Sequence, residues 1–282
     1  MRIAITGSNG QLGLALRQAL AGHDLMHIDL PEHDITDLEG INEAVLHFEP
    51  DVILHTAAIT DVDGCERDPE LAYRVNVLGT RNMAVAAQAS DAPMVYISTD
   101  YVFDGARQEP YWEYDATQPQ SVYARTKWLG EELTRQLLTR FYVVRIAWLY
   151  GDGPRNFVRT VLRLAGERDS IQMVTDEVGS PTYALDVAGA LSQLIHMPAY
   201  GTYHLPNAGV CSRYDWAAEI LRLAGVADQV ELQPSANYPR AAQVPKYVEM
   251  RNFAAAELGI TMRPWGEALW DYMARAGLLR DG

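Results

Sequence analysis

Arg2-Ile-Ala-Ile-Thr6-Gly7-Ser-Asn-Gly10-Gln-Leu-Gly13, followed by the apolar-spaced run Leu14 to Ala21, decides the fold of this 282-residue chain. Arg2 to Thr6 reads as a short buried strand, the three glycines as a turn, and the run after Gly13 as a helix. Gly7 permits the tight turn, Gly10 lets the backbone approach a pyrophosphate, and Gly13 lets the helix pack closely on the strand. The helix N-terminus then offers free N–H groups and the positive end of its dipole to phosphates. The motif is weak alone, but a second strand, Leu25 to Asp29, ends in an acid 19 residues after Gly10. That is close to the spacing at which a carboxylate takes the ribose hydroxyls of a dinucleotide. The alternative for Asp29 is a solvated turn acid. No arginine or lysine lies between Asp29 and Asp34 to neutralise a 2′-phosphate, so the stretch favours NADH over NADPH. Thr36-Asp-Leu-Glu39 resembles a capping box. It would leave Asp34 and Ile35 at a strand end or loop where an adenine could rest.

The same alternation continues outward. Asp51 to Ala58, Met94 to Asp100 and Tyr142 to Trp148 read as strands, and about Pro69 to Ser90 and Val122 to Thr139 as helices. Strands apolar on both faces, such as Val52-Ile-Leu and Val143-Val-Arg-Ile, belong to parallel sheets covered by helices on each side. The expected class is α/β, a Rossmann-like doubly wound parallel sheet with a smaller C-terminal lobe. Residues 1–150 would form the dinucleotide-binding domain, completed by part of 180–205, and 151–282 mainly the substrate-binding lobe. Ligands bind such sheets beyond the carboxyl ends of the strands. Gly7 to Gly13, Asp29, Ala57 to Thr60 and Thr99-Asp100 all fall there.

Tyr123 and Lys127 supply the second chemical signal. With 15 tyrosines and only two lysines among 282 residues, chance yields about 0.1 Tyr-x-x-x-Lys matches. On a helix, positions i and i+4 share a face, so the ammonium would lie beside the phenol and favour its ionised form. A tyrosine tuned this way exchanges a proton with a carbonyl or alcohol oxygen. The alternative is an ordinary helix face carrying an aromatic and a cation.

The net charge of −14 argues against nucleic acid or an anionic membrane as partner, and it requires local donors for any phosphate-bearing ligand. Cys65 and Cys211 are too few for a disulfide framework and lack metal-site spacing. The seven histidines lack paired metal spacing as well, so no metal site is expected. With no signal peptide and no apolar run of membrane-spanning length, the expected location is the cytoplasm.

Taken in order, the motifs resemble the extended short-chain dehydrogenase/reductases, and within them the dTDP-4-dehydrorhamnose reductases. The resemblance is carried by Gly7-x-x-Gly10-Gln-Leu-Gly13, Asp34-Ile-Thr-Asp37, Thr56-Ala-Ala-Ile-Thr-Asp-Val-Asp63, Val75-Asn76 and Ser98-Thr-Asp-Tyr-Val-Phe-Asp-Gly105. It continues through Tyr123-x-x-x-Lys127 with Gly130-Glu131, Arg145-x-x-Trp148-Leu-Tyr-Gly151, Asn156-Phe157 and Gly179-Ser-Pro-Thr182. It implies a catalytic trio of Thr99, Tyr123 and Lys127. Tyr123 would give a proton to the ketone oxygen as hydride arrives, Thr99 a second hydrogen bond, and Lys127 would lower the phenol pKa and hold the nicotinamide ribose. Gly7, Gly10, Gln11, Leu12, Asp29, Asp34, Ile35, Ala58, Ile59, Thr60, Tyr123 and Lys127 would hold NADH or NADPH, with Asn76 supporting the backbone. Thr99, Asp100, Trp148 and Asn156 would face a nucleotide sugar. Read locally, Trp148 is equally suited to core packing and Asn156 to capping the helix that follows.

The resemblance weakens at Arg240-Ala-Ala-Gln-Val244-Pro245-Lys246, where valine stands in place of the arginine expected near the nucleotide diphosphate. Arg240 or Lys246 would then supply the charge. The implied activity is NAD(P)H-dependent reduction of a 4-keto-6-deoxy nucleotide sugar, most closely dTDP-4-dehydro-L-rhamnose to dTDP-L-rhamnose. Two alternatives stay open: an epimerase or dehydratase of the same superfamily, and a noncatalytic subunit resembling the methionine adenosyltransferase β-subunit. A homodimer is left open.

Overall fold

The computed structural model describes residues 1–153, 156–236 and 238–280. Its centre is a six-stranded, wholly parallel sheet. In chain order the strands are β1 (Arg2–Thr6), β2 (Asp24–Ile28), β3 (Val52–His55), β4 (Met94–Thr99), β5 (Phe141–Ile146) and β6 (Gly201–His204). Across the sheet they run β6-β5-β4-β3-β1-β2. The order reverses between β1 and β3, because the chain goes out to β2 and returns to the other side of β1. That reversal opens the crevice in which doubly wound sheets bind ligands.

The period of two within β1 shows how the sequence builds both faces. Ile3 and Ile5 bury against Leu12, Leu16, Val187 and Leu191 on one side. Ala4 faces the opposite cluster with Ile53, Met83 and Tyr96. The helix Ala184–Leu194 packs on the first helix, Gln11–Ala19. The chain after residue 150 thus returns to cover the face of the sheet that carries the first helix and adds β6 as its edge. A third cluster, around Tyr150, Val158, Trp216 and Tyr272, makes the core of the smaller lobe.

Local departures from the sequence expectations have physical causes. Asp37, not Thr36, caps the helix Leu38–Phe48, accepting from the Gly40 N–H at 3.2 Å. Thr36 instead gives both its N–H and hydroxyl to Asp34 Oδ1. The long helix expected from Pro69 breaks into Pro69–Tyr73, a π-helical turn Arg74–Gly79 and Thr80–Ala89. The wide turn carries buried Asn76, as such bulges often carry functional groups. The strand expected to reach Trp148 ends at Ile146, since Trp148 takes a left-handed backbone with φ of 41°.

Candidate active site

A cleft of about 700 Å³ runs along the carboxyl ends of β1, β2, β3 and β4 and under the smaller lobe. Gly7, Gly10, Gln11, Leu12, Asp29, Asp34, Ile35, Ala58, Ile59 and Thr60 all line it. So do Thr99, Asp100, Tyr123, Lys127 and Trp148. Asn156, Arg240 and Lys246 do not.

The glycine turn leaves no room for side chains. Gly7 has φ of 62°, and a Cβ there would stand 2.9 Å from the Ala57 backbone. A Cβ on Gly13 would stand 2.2 Å from the Gly7 carbonyl oxygen, so the first helix can approach β1 only with glycine at that place. At the rim, Asp29 is held by two backbone donors, the Asn9 N–H to Oδ2 at 2.8 Å and the Leu30 N–H to Oδ1 at 2.9 Å. The sequence contains no cation just after Asp29, yet the fold brings one from the first helix: Arg17 donates to Asn9 Oδ1 at 3.2 Å.

Beneath the middle of the cleft, Asn76 joins three segments. Its Oδ1 accepts the Ile59 N–H at 2.8 Å, and its Nδ2 donates to the Ile59 carbonyl at 3.1 Å and to Thr126 Oγ1 at 3.0 Å. Thr126 in turn donates to the Tyr123 carbonyl. The β3 end and the Val122–Leu137 helix are therefore locked in register by one buried amide. His55 is also structural. It bridges Thr6 Oγ1 at 2.8 Å and Thr80 Oγ1 at 3.0 Å, and burial with the nearby Lys127 lowers its pKa to about 3.

Tyr123 and Thr99 meet at the far end. The Tyr123 ring is pinned edge-on by Tyr101, with centroids 5.7 Å apart and planes at 82°. Thr99 Oγ1 donates to Asp100 Oδ1 at 2.9 Å and accepts the Tyr101 N–H at 3.2 Å. Burial raises the Asp100 carboxyl to about 6 against the pull of that hydroxyl. The expected lowering of the phenol pKa by Lys127 is not what the structure holds. Burial pushes Tyr123 well up, and the Thr99 hydroxyl is the group that pulls it back. The Lys127 ammonium lies over the Tyr96 ring, 4.3 Å from its centroid. Burial lowers its own pKa to about 7, with Glu131 acting in the opposite sense.

The smaller lobe reassigns three expected ligand contacts. Asn156 caps the helix Phe157–Glu167, accepting the Arg159 N–H at 2.8 Å. Its amide donates to the Gly151 carbonyl and Tyr272 hydroxyl, both at 2.7 Å, so both amide hydrogens are used away from the cleft. Arg240 pairs with Glu177 at 3.0 Å and Lys246 with Asp176 at 2.6 Å. The segment they flank crosses to the nucleotide side, where Asp63 Oδ1 accepts the N–H groups of Ala241 and Ala242. The cation from this part of the chain that does line the cleft is Arg213, which the sequence did not single out. Its one sequence signal is a cation in the first helical position after the Ser212 cap, against the sense of the helix dipole.

Among the described residues, no cluster of His, Cys, Asp and Glu could hold a metal ion. None of the described helices is long and apolar enough to cross a membrane.

A doubly wound parallel sheet, a glycine turn at its switch point and a Tyr-x-x-x-Lys helix face at the end of the same cleft define an extended short-chain dehydrogenase/reductase. Residues 1–277 match the family described as RmlD substrate binding domain, and the chain belongs to that family. A dTDP-4-dehydrorhamnose reductase of Mycolicibacterium smegmatis is 41% identical over 291 residues, covering 100% of this chain and 88% of that one. A crystal structure of the dTDP-4-dehydrorhamnose reductase of Clostridium acetobutylicum superposes with a TM-score of 0.94 at 41% identity, covering 98% of this chain and 100% of that one. The Bacillus anthracis enzyme of the same name, solved in complex with NADP, has a TM-score of 0.94 at 38% identity, covering 97% of this chain and 99% of that one.

Proposed function

We propose that this protein reduces the 4-keto group of a 6-deoxy nucleotide sugar, dTDP-4-dehydro-L-rhamnose, to the alcohol of dTDP-L-rhamnose at the expense of NAD(P)H. The observation that carries this reading is the convergence of Thr99, Tyr123 and Lys127 in the cleft that begins at the Gly7 turn. Relatives bearing that enzyme's name match nearly the whole chain. The residues fit a dinucleotide on the structure's own terms. The turn is walled by backbone so that only glycine fits, and the buried Gln11 Oε1 has no hydrogen-bond partner among the described residues. Gly7, Gly10, Gln11 and Leu12 would hold the pyrophosphate, Asp29 the adenosine ribose, Asp34 and Ile35 the adenine. Ala58, Ile59, Thr60 and Lys127 would hold the nicotinamide half, which supplies the hydride when bound.

The chain's own work is proton handling. Charge growing on the ketone oxygen is met by the Tyr123 hydroxyl, which gives up its proton, and by a hydrogen bond from Thr99. The Thr99 hydroxyl proton, given to Asp100 Oδ1 in this structure, would turn to the ketone oxygen while the Tyr101 N–H keeps Thr99 Oγ1 in place, and Tyr101 holds the Tyr123 ring. A buried phenol is a weak acid, and Lys127 is not among the groups that pull it back; its ammonium would serve the step by holding the nicotinamide ribose. The pH profile should show it. Because burial lowers Lys127 to about 7, the charged form is present below that pH and lost above it. We expect kcat/KM to fall as pH rises through about 7, one proton per step, a limb that reports the free enzyme. A profile that is flat from roughly pH 6 to 9 would remove the ammonium from the mechanism.

For the cofactor, Asp29 with both oxygens fixed by backbone donors favours NADH, since a 2′-phosphate would face an immovable carboxylate. Arg17 at the same rim leaves NADPH usable. The deciding assay follows loss of reduced-cofactor absorbance with dTDP-4-dehydro-L-rhamnose and either cofactor. We expect stoichiometric oxidation, a higher kcat/KM with NADH, and an Arg17→Ala variant that loses NADPH activity selectively. Sugar conversion without net cofactor oxidation would mean an epimerase or dehydratase. No conversion at all would leave a binding subunit.

A further inference from the structure

Arg213 is the cleft cation for which the proton chemistry has no use. Among the described residues lining the cleft, it and Lys127 are the only lysine or arginine side chains. Its guanidinium carbon lies 3.5 Å from the centroid of the Trp148 ring and within 6 Å of the Phe157 and Trp216 rings. The nearest carboxylate, Glu177, stands 3.7 Å from its Nε, beyond hydrogen-bonding distance, and already accepts from Arg240 at 3.0 Å. The Arg213 guanidinium makes no hydrogen bond to any described residue, though only 16% of the side chain is exposed. A desolvated guanidinium with spare donors is costly unless an anion arrives to use them.

The surroundings are shaped to hold that cation. Trp148 keeps its left-handed backbone at φ 41°, and Gly179 lies so close under the indole that a Cβ would stand 2.6 Å from Trp148 Cε2. Backbone strain of this kind persists where the surroundings over-determine it. Contact with the indole holds the guanidinium in place, and its N–H donors, unused by any described residue, are free for the paired bonds that phosphoryl oxygens take. The charge of Arg213 is felt by Asp100 and Tyr101, beside the Thr99 and Tyr123 end of the cleft.

We infer that Arg213, held against Trp148, binds the diphosphate of the sugar nucleotide. It thus takes the place that Val244 leaves without a cation and that Arg240 and Lys246, both paired elsewhere, do not fill. The inference rests on the nucleotide-sugar reading above, and its test separates the two. Calorimetric titrations of dTDP, UDP, inorganic pyrophosphate and thymidine into the protein saturated with reduced cofactor would be compared for the native chain, Arg213→Gln and Arg213→Lys.

Arg213→Gln should weaken dTDP at least tenfold, about 1.4 kcal/mol, with thymidine and cofactor affinity unchanged. Arg213→Lys should fall between, raising the KM for the sugar nucleotide while keeping kcat. If dTDP binds Arg213→Gln as tightly as it binds the native chain, or if thymidine weakens equally, Arg213 merely packs and the inference fails. Should Arg213→Gln not fold, an Arg213→Lys variant with unchanged dTDP affinity and KM would overturn it as well. If the native chain binds UDP and pyrophosphate in an Arg213-dependent way but ignores dTDP, Arg213 keeps its role and the dTDP-sugar reading falls.

Discussion

Tyr123→Phe is expected to fold, to bind cofactor and to lose about 10²- to 10⁴-fold in turnover, the range for removing a positioned acid. The phenyl ring keeps the edge-on contact with Tyr101, so packing is preserved and only the hydroxyl is lost. The loss should fall on kcat and kcat/KM alike, because the proton is needed only as charge develops on the ketone oxygen. Steady-state kinetics with calorimetric cofactor binding checks this. Near-native turnover would take Tyr123 out of the chemistry and leave it as a wall of the cleft.

Glu131→Ala should cost about 3–5 kcal/mol of stability, the usual cost of stranding one partner of a buried ion pair. Glu131 is fully buried, four residues beyond Lys127 on the same helix. It accepts Arg145 Nε at 2.9 Å and Nη2 at 2.8 Å, and Arg135 at 2.9 Å. Burial alone would raise its pKa, but the Arg145 bonds and charge hold it below the ordinary value. The stabilisation is therefore complete above the unfolded carboxyl pKa and is lost as pH falls through the lower folded one. Equilibrium denaturation at neutral pH measures the loss, and Glu131→Leu with Arg145→Met should recover most of it, since no charge is left stranded. Glu131 also supplies the one field that raises Lys127, so the alkaline limb of the rate profile should move below about 7 in Glu131→Ala. A stability loss under 1 kcal/mol would show that water reaches Arg145 and that the pair is not sealed.

Much of this was readable in the chain because it is local. The glycine turn needs Gly13 for room against Gly7 and Ser8, a few residues away, and Gly7 for its positive φ, although the backbone that crowds Gly7 is that of Ala57. The two-sided apolar strands can only be covered on both faces, and Tyr123 and Lys127 share a helix face by spacing alone. Every cofactor contact expected from the sequence lines one cleft. Where local patterns were ambiguous, the choice was made by distant partners. Asn156 became a cap because Gly151 and Tyr272 take its amide. Arg240 and Lys246 were drawn off by Glu177 and Asp176, carboxylates some 60 to 70 residues away.

The sequence by itself therefore determined the doubly wound sheet, its nucleotide end and the tyrosine–lysine face, since these follow from periodicity, turn sterics and short spacing. Only the tertiary structure decided which cations reach the cleft and its rim and how each buried group titrates. Arg17 comes to the Asp29 rim through Asn9, and Arg213 comes to the cleft beside Trp148. Lys127 lies over Tyr96 rather than tuning Tyr123 directly. Charge pairing and desolvation depend on three-dimensional neighbours and on how far water is excluded, and neither quantity is written in the spacing of residues along a chain.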